Sequence, residues 1–298
     1  MTIEKVEPHY PGLIDRRGLL RSVGAGMASA AIAGAVGTAA LTIGSAPARA
    51  AGFTDNDYIA FFSNFEALGA NYYLYGLTGQ GVPAALTTGL GTLGAVSAGG
   101  PVSFQSAAVA QYVQRLAVDE LAHLEFFRAL LGSAAVAQPA VNIASSWTGF
   151  AIGAGLIAPS QTFNPYENDV TFLLGAYMIE DVCITAAAGA ARYLTSKDTI
   201  EAAAGILGAE GYHAGAIRTL LSNIGAGQAT DAISNLRAKL SGVADNGTLV
   251  PGQAYNFTNT DSNALVYRRT PAQALAILYD GNPTGGGFFP DGLNGVIR

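Results

Sequence analysis

The sequence predicts an all-α protein built on a four-helix bundle with a long crossover connection. Apolar residues recur at helical spacing over four long segments. The connections between those segments run long, long, then very short, the order of a bundle with a crossover. Half of the 298 residues are apolar and only 12% are charged, a composition that goes with a large buried core or an extensive subunit interface.

The first fifty residues stand apart from that pattern. Asp15-Arg16-Arg17-Gly18-Leu19-Leu20-Arg21 is a twin-arginine pattern, no charge occurs from Ser22 to Ala48, and Ala48-Arg49-Ala50 is a small-x-small cleavage site. Residues 1–50 therefore read as a twin-arginine signal peptide with Ala51 as the mature start, and the expected destination is the periplasm or the exterior. A retained membrane anchor is the alternative, since the uncharged stretch is long enough to span, though it is Gly-rich and weakly apolar. Of 15 basic and 21 acidic residues, five and three fall in this segment, leaving 10 and 18. A mature chain that acidic excludes a nucleic-acid partner, which needs a basic face. No membrane association is expected after cleavage of the signal peptide. The low charge leaves room for a homo-oligomer. A single cysteine, Cys183, excludes an internal disulfide framework.

The elements follow in order. Helix one is expected to start at Thr54, where Asp57 completes a capping box, and to run to about Tyr75 before Gly76, Gly79 and Gly81. A loop rich in Gly, Thr and Ala leads to Pro101. Helix two starts after Ser103 and stops at Leu131 against Gly132. The connection over 133–164 is a crossover loop. Asn164-Pro165 then reads as an N-cap with proline in the first turn, opening helix three, which runs to about Leu194. Ser196 caps helix four, which ends near Ile224. The tight link makes helices three and four antiparallel neighbours. Residues 51–225 thus form the bundle. Residues 226–298 form an extension packed on it: a short amphipathic helix over 229–241, a polar loop, a last helix from Thr270-Pro271 to about Tyr279, and an irregular tail.

After Ala51 only two histidines remain, and each follows a glutamate by three residues: Glu120-Leu121-Ala122-His123 and Glu210-Gly211-Tyr212-His213. One Glu-x-x-His is weak, because i,i+3 pairs are frequent on helices. With seven glutamates in this part of the chain, chance places both histidines this way on the order of once in a thousand. Helix one adds Glu66 and helix three adds Glu180, each in an apolar setting. One Glu from each of two helices plus Glu-x-x-His from the other two is the ligand pattern of two-metal carboxylate bundles, the ferritin-like proteins. All six residues fall on the seams that must face the core: Val113, Leu116, Glu120, His123, Phe127 and Leu130 on helix two; Ile206, Glu210, His213, Ile217 and Leu220 on helix four; Leu173, Tyr177, Glu180 and Ile184 on helix three; Phe62, Glu66 and Tyr73 on helix one. Four carboxylates sharing one low-dielectric core repel one another, and two divalent cations balance them while both histidines stay neutral. A buried Glu–His pair can also be a self-satisfied polar network. Oxygen and nitrogen ligands without a thiolate favour iron or manganese over zinc.

Neighbouring residues carry weaker readings. Asp119 and Asp181, each beside a ligand candidate, read first as solvated helix-face residues and second as groups that orient a histidine. Tyr177 reads as core packing, with a hydrogen bond to a ligand or a radical as the alternative. Cys183 reads as a buried structural thiol.

The chain resembles the ferritin-like domain proteins related to the plant desiccation-related protein, which also occur in bacteria. The resemblance rests on Asn64-Phe65-Glu66-Ala67 with Tyr72-Tyr73 and Gly76, and on Asp119-Glu120-Leu121-Ala122-His123-Leu124. It rests also on the C-terminal run Arg269-Thr270-Pro271, Leu275-Ala276-Ile277-Leu278-Tyr279 and Gly286-Gly287-Phe288-Phe289-Pro290-Asp291-Gly292-Leu293-Asn294-Gly295. It implies a ferritin-like fold and a desiccation or oxidative-stress context. The expected function is redox chemistry on oxygen, peroxide or ferrous iron at a two-metal site, as a ferroxidase, peroxidase or catalase-like enzyme. The alternative is a non-enzymatic stress or envelope protein whose metal only staples the bundle.

Overall fold

The computed structural model describes residues 52–249 and 255–298; the expected signal peptide lies outside the described residues. Helix α1, Asp55–Thr78, starts at the expected cap. The Thr54 hydroxyl accepts from the Asp57 amide, and the Asp57 carboxylate accepts from the Thr54 amide. It runs a turn beyond expectation, through Gly76, where the ring of Phe172 occupies the space a side chain would need. The helix stops at Gly79, which takes the left-handed conformation that glycine adopts without strain. Helix α2 spans Ala107–Leu131, with the Ser106 hydroxyl capping it.

The two long connections are more ordered than loops. Strand β1, Val96–Ala98, pairs in parallel with β2, Val141–Ile143, so the loop after α1 and the crossover after α2 are zipped together. The crossover also contains a short helix, α3, Ser146–Gly153, whose Trp147 and Phe150 enter the core. The expected helical start at Asn164-Pro165 is corrected: that pair forms a turn, the Asn164 side chain accepting from the Tyr166 amide. Helix α4 begins at Asp169, capped by Asn168, whose side-chain Oδ1 accepts from the Val170 and Thr171 amides while the Thr171 hydroxyl accepts from the Asn168 backbone amide. A reciprocal Asx cap outcompetes a proline start because it satisfies amides that a turn alone leaves open.

Helix α4, Asp169–Ala190, is long and apolar enough to cross a membrane by composition, but its apolar stretch is 83% buried among the other helices. Helix α5, Lys197–Asn223, returns antiparallel to it from the Ser196 cap. α1 packs chiefly on α2 and α4 chiefly on α5, and α1 joins the two pairs through α4. Helix α6, Gly227–Ser241, and helix α7, Pro271–Leu278, belong to the extension. The described chain is thus an all-α, ferritin-like bundle with a helical and irregular addition.

The extension is locked onto the bundle. The Arg269 amide donates to the Thr185 carbonyl at 2.9 Å, and the backbone of Arg269 fills the place of a side chain at Gly189 on α4. Phe288 is fully buried against Trp147 and Phe150, with ring centroids 4.6 and 4.5 Å away. Asn294 donates to Thr92 and Ala137 carbonyls and accepts at its own carbonyl from Asn64 of α1. The tail therefore closes over both long connections.

Candidate metal centre

Each bundle helix delivers its carboxylate to one level of the core. Glu66 comes from α1, Glu120 and His123 from α2, Glu180 from α4, and Glu210 and His213 from α5. Ligand atoms of Glu66, Glu120, His123 and Glu210 lie within 4.8 Å of one another, and so do those of Glu120, Glu180, Glu210 and His213. Glu120 and Glu210 belong to both groups, which is what two cations sharing bridging carboxylates require. The four glutamates are buried, as is His213, and His123 is nearly so. The imidazole rings face each other with centroids 5.9 Å apart and 26° between planes.

Both histidines turn Nδ1 inward. His123 Nδ1 lies 3.1 Å from Glu210 Oε1 and 3.4 Å from Glu66 Oε2; His213 Nδ1 lies 3.2 Å from Glu120 Oε1 and 3.6 Å from Glu180 Oε2. These separations are short enough for ion pairs, but the atoms are not aligned as hydrogen bonds. Among the described residues, ten buried side-chain nitrogen or oxygen atoms lack a hydrogen-bond partner, and seven belong to these six residues. Buried polar atoms are almost always partnered, so convergent lone pairs without donors mark a place for a cation. Carboxylate oxygens and imidazole nitrogens are a donor set that fits a divalent cation.

The electrostatics of the protein groups agree. Burial first, then repulsion from the other glutamates, lifts Glu120 to about 8. Burial raises Glu66 to about 7 although His123 pulls it down, and Glu210 is pushed well above the carboxylate range. Burial acts on Glu180 too, but His213, Glu210 and Tyr73 outweigh it and hold it low. Burial opposes charge on the imidazoles, yet the glutamates raise His123 to about 11 and His213 to about 12. Alone, the cluster keeps itself neutral by holding protons; cations would replace those protons.

The weaker sequence candidates separate. Asp119 Oδ2 lies 3.3 Å from His213 Nε2, and Arg115 pairs with Asp119 from one turn earlier. Burial works against the Asp119 charge, but Arg115 and His213 hold its carboxyl below the usual value. Accepting from Nε2–H leaves the Nδ1 lone pair of His213 for the centre. Asp181 is neither solvated nor near a histidine. It is buried and bonded by Arg218 and Arg237, each at 2.7 Å. Tyr177 also points away from the glutamates: its hydroxyl meets Ser234 at 2.6 Å, and Arg218 and Arg237 lie over its ring. Cys183 is buried and its thiol is raised well above the usual value by burial and the glutamates.

Two residues in contact with the glutamates carry no site signal in the sequence. The fully buried Tyr73 donates its hydroxyl to Glu180 Oε1; its place on the seam of Glu66, seven residues on, marks it only as facing the core. Gly69 faces Glu120, whose Oε2 occupies the position a Cβ would take, and no local pattern reveals that need.

A helical bundle whose core gathers four carboxylates and two imidazoles in two overlapping groups defines a ferritin-like protein. The chain belongs to the ferritin-like domain family, which matches residues 54–223. It is 30% identical over 274 residues to the ferritin-like catalase Nec2 of Nesocodon mauritianus, covering 82% of this chain and 84% of that one. It is 27% identical over 250 residues to the desiccation-related protein PCC13-62 of Craterostigma plantagineum, covering 74% and 76%. No solved structure matches the chain.

Proposed function

We propose that the protein is a two-metal oxidoreductase of catalase type, exported through the twin-arginine route, that protects against peroxide. The seven unpartnered polar atoms converging in the core carry the reading, and the similarity to a ferritin-like catalase supports it. Glu66, Glu120, His123 and Glu210 would hold one cation, and Glu120, Glu180, Glu210 and His213 the other. A redox-active pair of iron or manganese ions held there would supply two-electron exchange, so that one peroxide could give up two electrons and two protons as dioxygen and a second could take them up as two waters.

The protein's share is to bind, orient and manage protons. Glu120 and Glu210, shared by both groups, fix the spacing of the two positions. Asp119 keeps His213 in the tautomer whose Nδ1 is free. Tyr73 holds a proton at Glu180 Oε1, within reach of the centre and away from solvent. Beside His213 a mixed pocket, with Arg115 and Asp119 set among Tyr112, Leu116, Ala209, Tyr212 and Ala216, opens to solvent and offers peroxide a way towards the centre.

Metal analysis followed by an oxygen-electrode assay with hydrogen peroxide tests this. Two bound ions per chain and one dioxygen per two peroxides are expected; a metal-free protein with no turnover after reconstitution with iron or manganese would refute it. The second reading, a non-enzymatic stress protein stapled by metal, is favoured by the similarity to the desiccation-related protein. In that case Glu120→Ala and His123→Ala lower the melting temperature with no activity to lose.

A further inference from the structure

The two ends of the bundle core are packed differently. On one side of the glutamates Tyr73, Tyr72 and Phe172 pack ring on ring, the Tyr72 and Phe172 centroids 4.5 Å apart. On the other side α4 and α5 face each other with Ala187 and Ala203, and a cavity of about 40 Å³ remains among Ile59, Phe127 and Ile206. Its floor is formed by Glu66 and Glu210, two residues of the centre. Leu130, 46% exposed, stands at its outer edge. A void weakens a core in proportion to its volume, and leucines in place of these alanines would have closed it.

Apart from the two glutamates, the wall is almost wholly hydrocarbon. Buried water needs two to four polar partners, and an apolar cavity stays dry while accepting apolar gases such as xenon. The cavity thus discriminates against water, peroxide and ions. The solvent-open pocket beside His213 differs in carrying the charged groups Arg115 and Asp119 among its apolar lining. The centre is thus flanked by a pocket that carries charged groups and by a cavity that, outside the two glutamates, carries none.

We propose that the cavity above Glu66 and Glu210 is a binding site for a neutral apolar diatomic gas, dioxygen. The choice of dioxygen among apolar gases rests on the peroxide and oxygen chemistry proposed above. The volume suits a molecule of that size. Dioxygen formed at the centre then has an apolar place to go that water does not compete for.

Crystals of the full chain pressurised with xenon, and separately with dioxygen, test the site without measuring activity. A xenon peak and a dioxygen peak between Ile59, Phe127, Ala203 and Ile206 are expected. Both should be lost in Ala203→Val, which fills the space without touching a ligand. Ala187→Val serves in the same way should the first variant not fold, and the unmodified protein decides the matter by itself if neither does. Ordered water in the cavity, or no gas peak there, would overturn the site. Xenon without dioxygen would overturn the dioxygen assignment. X-ray fluorescence of the same crystals reports their metal separately: gas binding without metal leaves the cavity site standing and removes the two-metal reading, whereas metal without gas does the reverse.

Discussion

Gly69 shows at the scale of one residue how the core makes room for its charges. Any side chain there would meet the carboxylate of Glu120, a residue shared by both ligand groups. Gly69→Ala is therefore expected to displace a bridging ligand and lower bound metal from two ions per chain to one or none, read by plasma emission spectrometry. The helix itself should be unharmed, because alanine is the better helix former by about 1 kcal/mol. Tyr73→Phe removes only the proton donor to Glu180. It should keep both metals while slowing peroxide turnover by roughly a hundredfold, the lower range for general acid–base groups. Unchanged turnover would remove Tyr73 from the proton path. The glutamates and histidines were legible because Glu-x-x-His spacing and the apolar seam repeat locally along each helix. Tyr73 was not, because a tyrosine in an aromatic-rich helix looks like packing; Tyr177 drew attention instead through its closeness in sequence to Glu180.

At the scale of elements, the feature that the sequence concealed is the ion network joining the bundle to its extension. Asp181 of α4 binds Arg218 of α5 and Arg237 of α6, and Asp245 binds Arg237 and Arg269, all five side chains being almost completely buried. An aspartate beside a ligand reads as solvated when its partners lie 37, 56 and more residues away, since no local periodicity links them. Asp181→Ala leaves two buried guanidinium groups short of a counter-charge, and unfolding stability should fall by about 3–5 kcal/mol. Urea denaturation measures this; a loss below about 1 kcal/mol would show that the network relaxes around the gap. The same reasoning explains which elements were read well. Thr54, Ser196 and Thr270 cap helices through residues within three positions. Strands β1 and β2 lie 45 residues apart by register, and α3 depends on burying Trp147 and Phe150 against the distant Phe288.

For the whole molecule, the proton balance of the core sets how stability responds to pH and metal. Folding raises the pKa of Glu66 and Glu120 from 4.5 to about 7 and 8, and of the histidines from 6.5 to about 11 and 12. Chelated protein therefore binds more protons folded than unfolded, and its stability should rise as pH falls from about 8 towards 5. The histidine part is complete below their unfolded value and the carboxylate part below theirs. Asp245, which burial opposes but Arg237 and Arg269 hold low, acts in the other sense and loses its contribution only in stronger acid. Cations replace those protons, so metal-loaded protein should lose this slope and be more stable by about 2.7 kcal/mol per bound ion at a hundredfold excess over the dissociation constant. Melting curves with and without chelator from pH 5 to 9 check both statements. Parallel curves would mean that no metal occupies the core.

The central claim is that six side chains from four helices hold two cations, and anomalous diffraction tests it most directly. Crystals grown with manganese or iron, with data collected on either side of the metal edge, should give two anomalous peaks. One is expected among Glu66, Glu120, His123 and Glu210, and the other among Glu120, Glu180, Glu210 and His213. Empty anomalous density there, with the glutamates bonded to water or to one another, would contradict it.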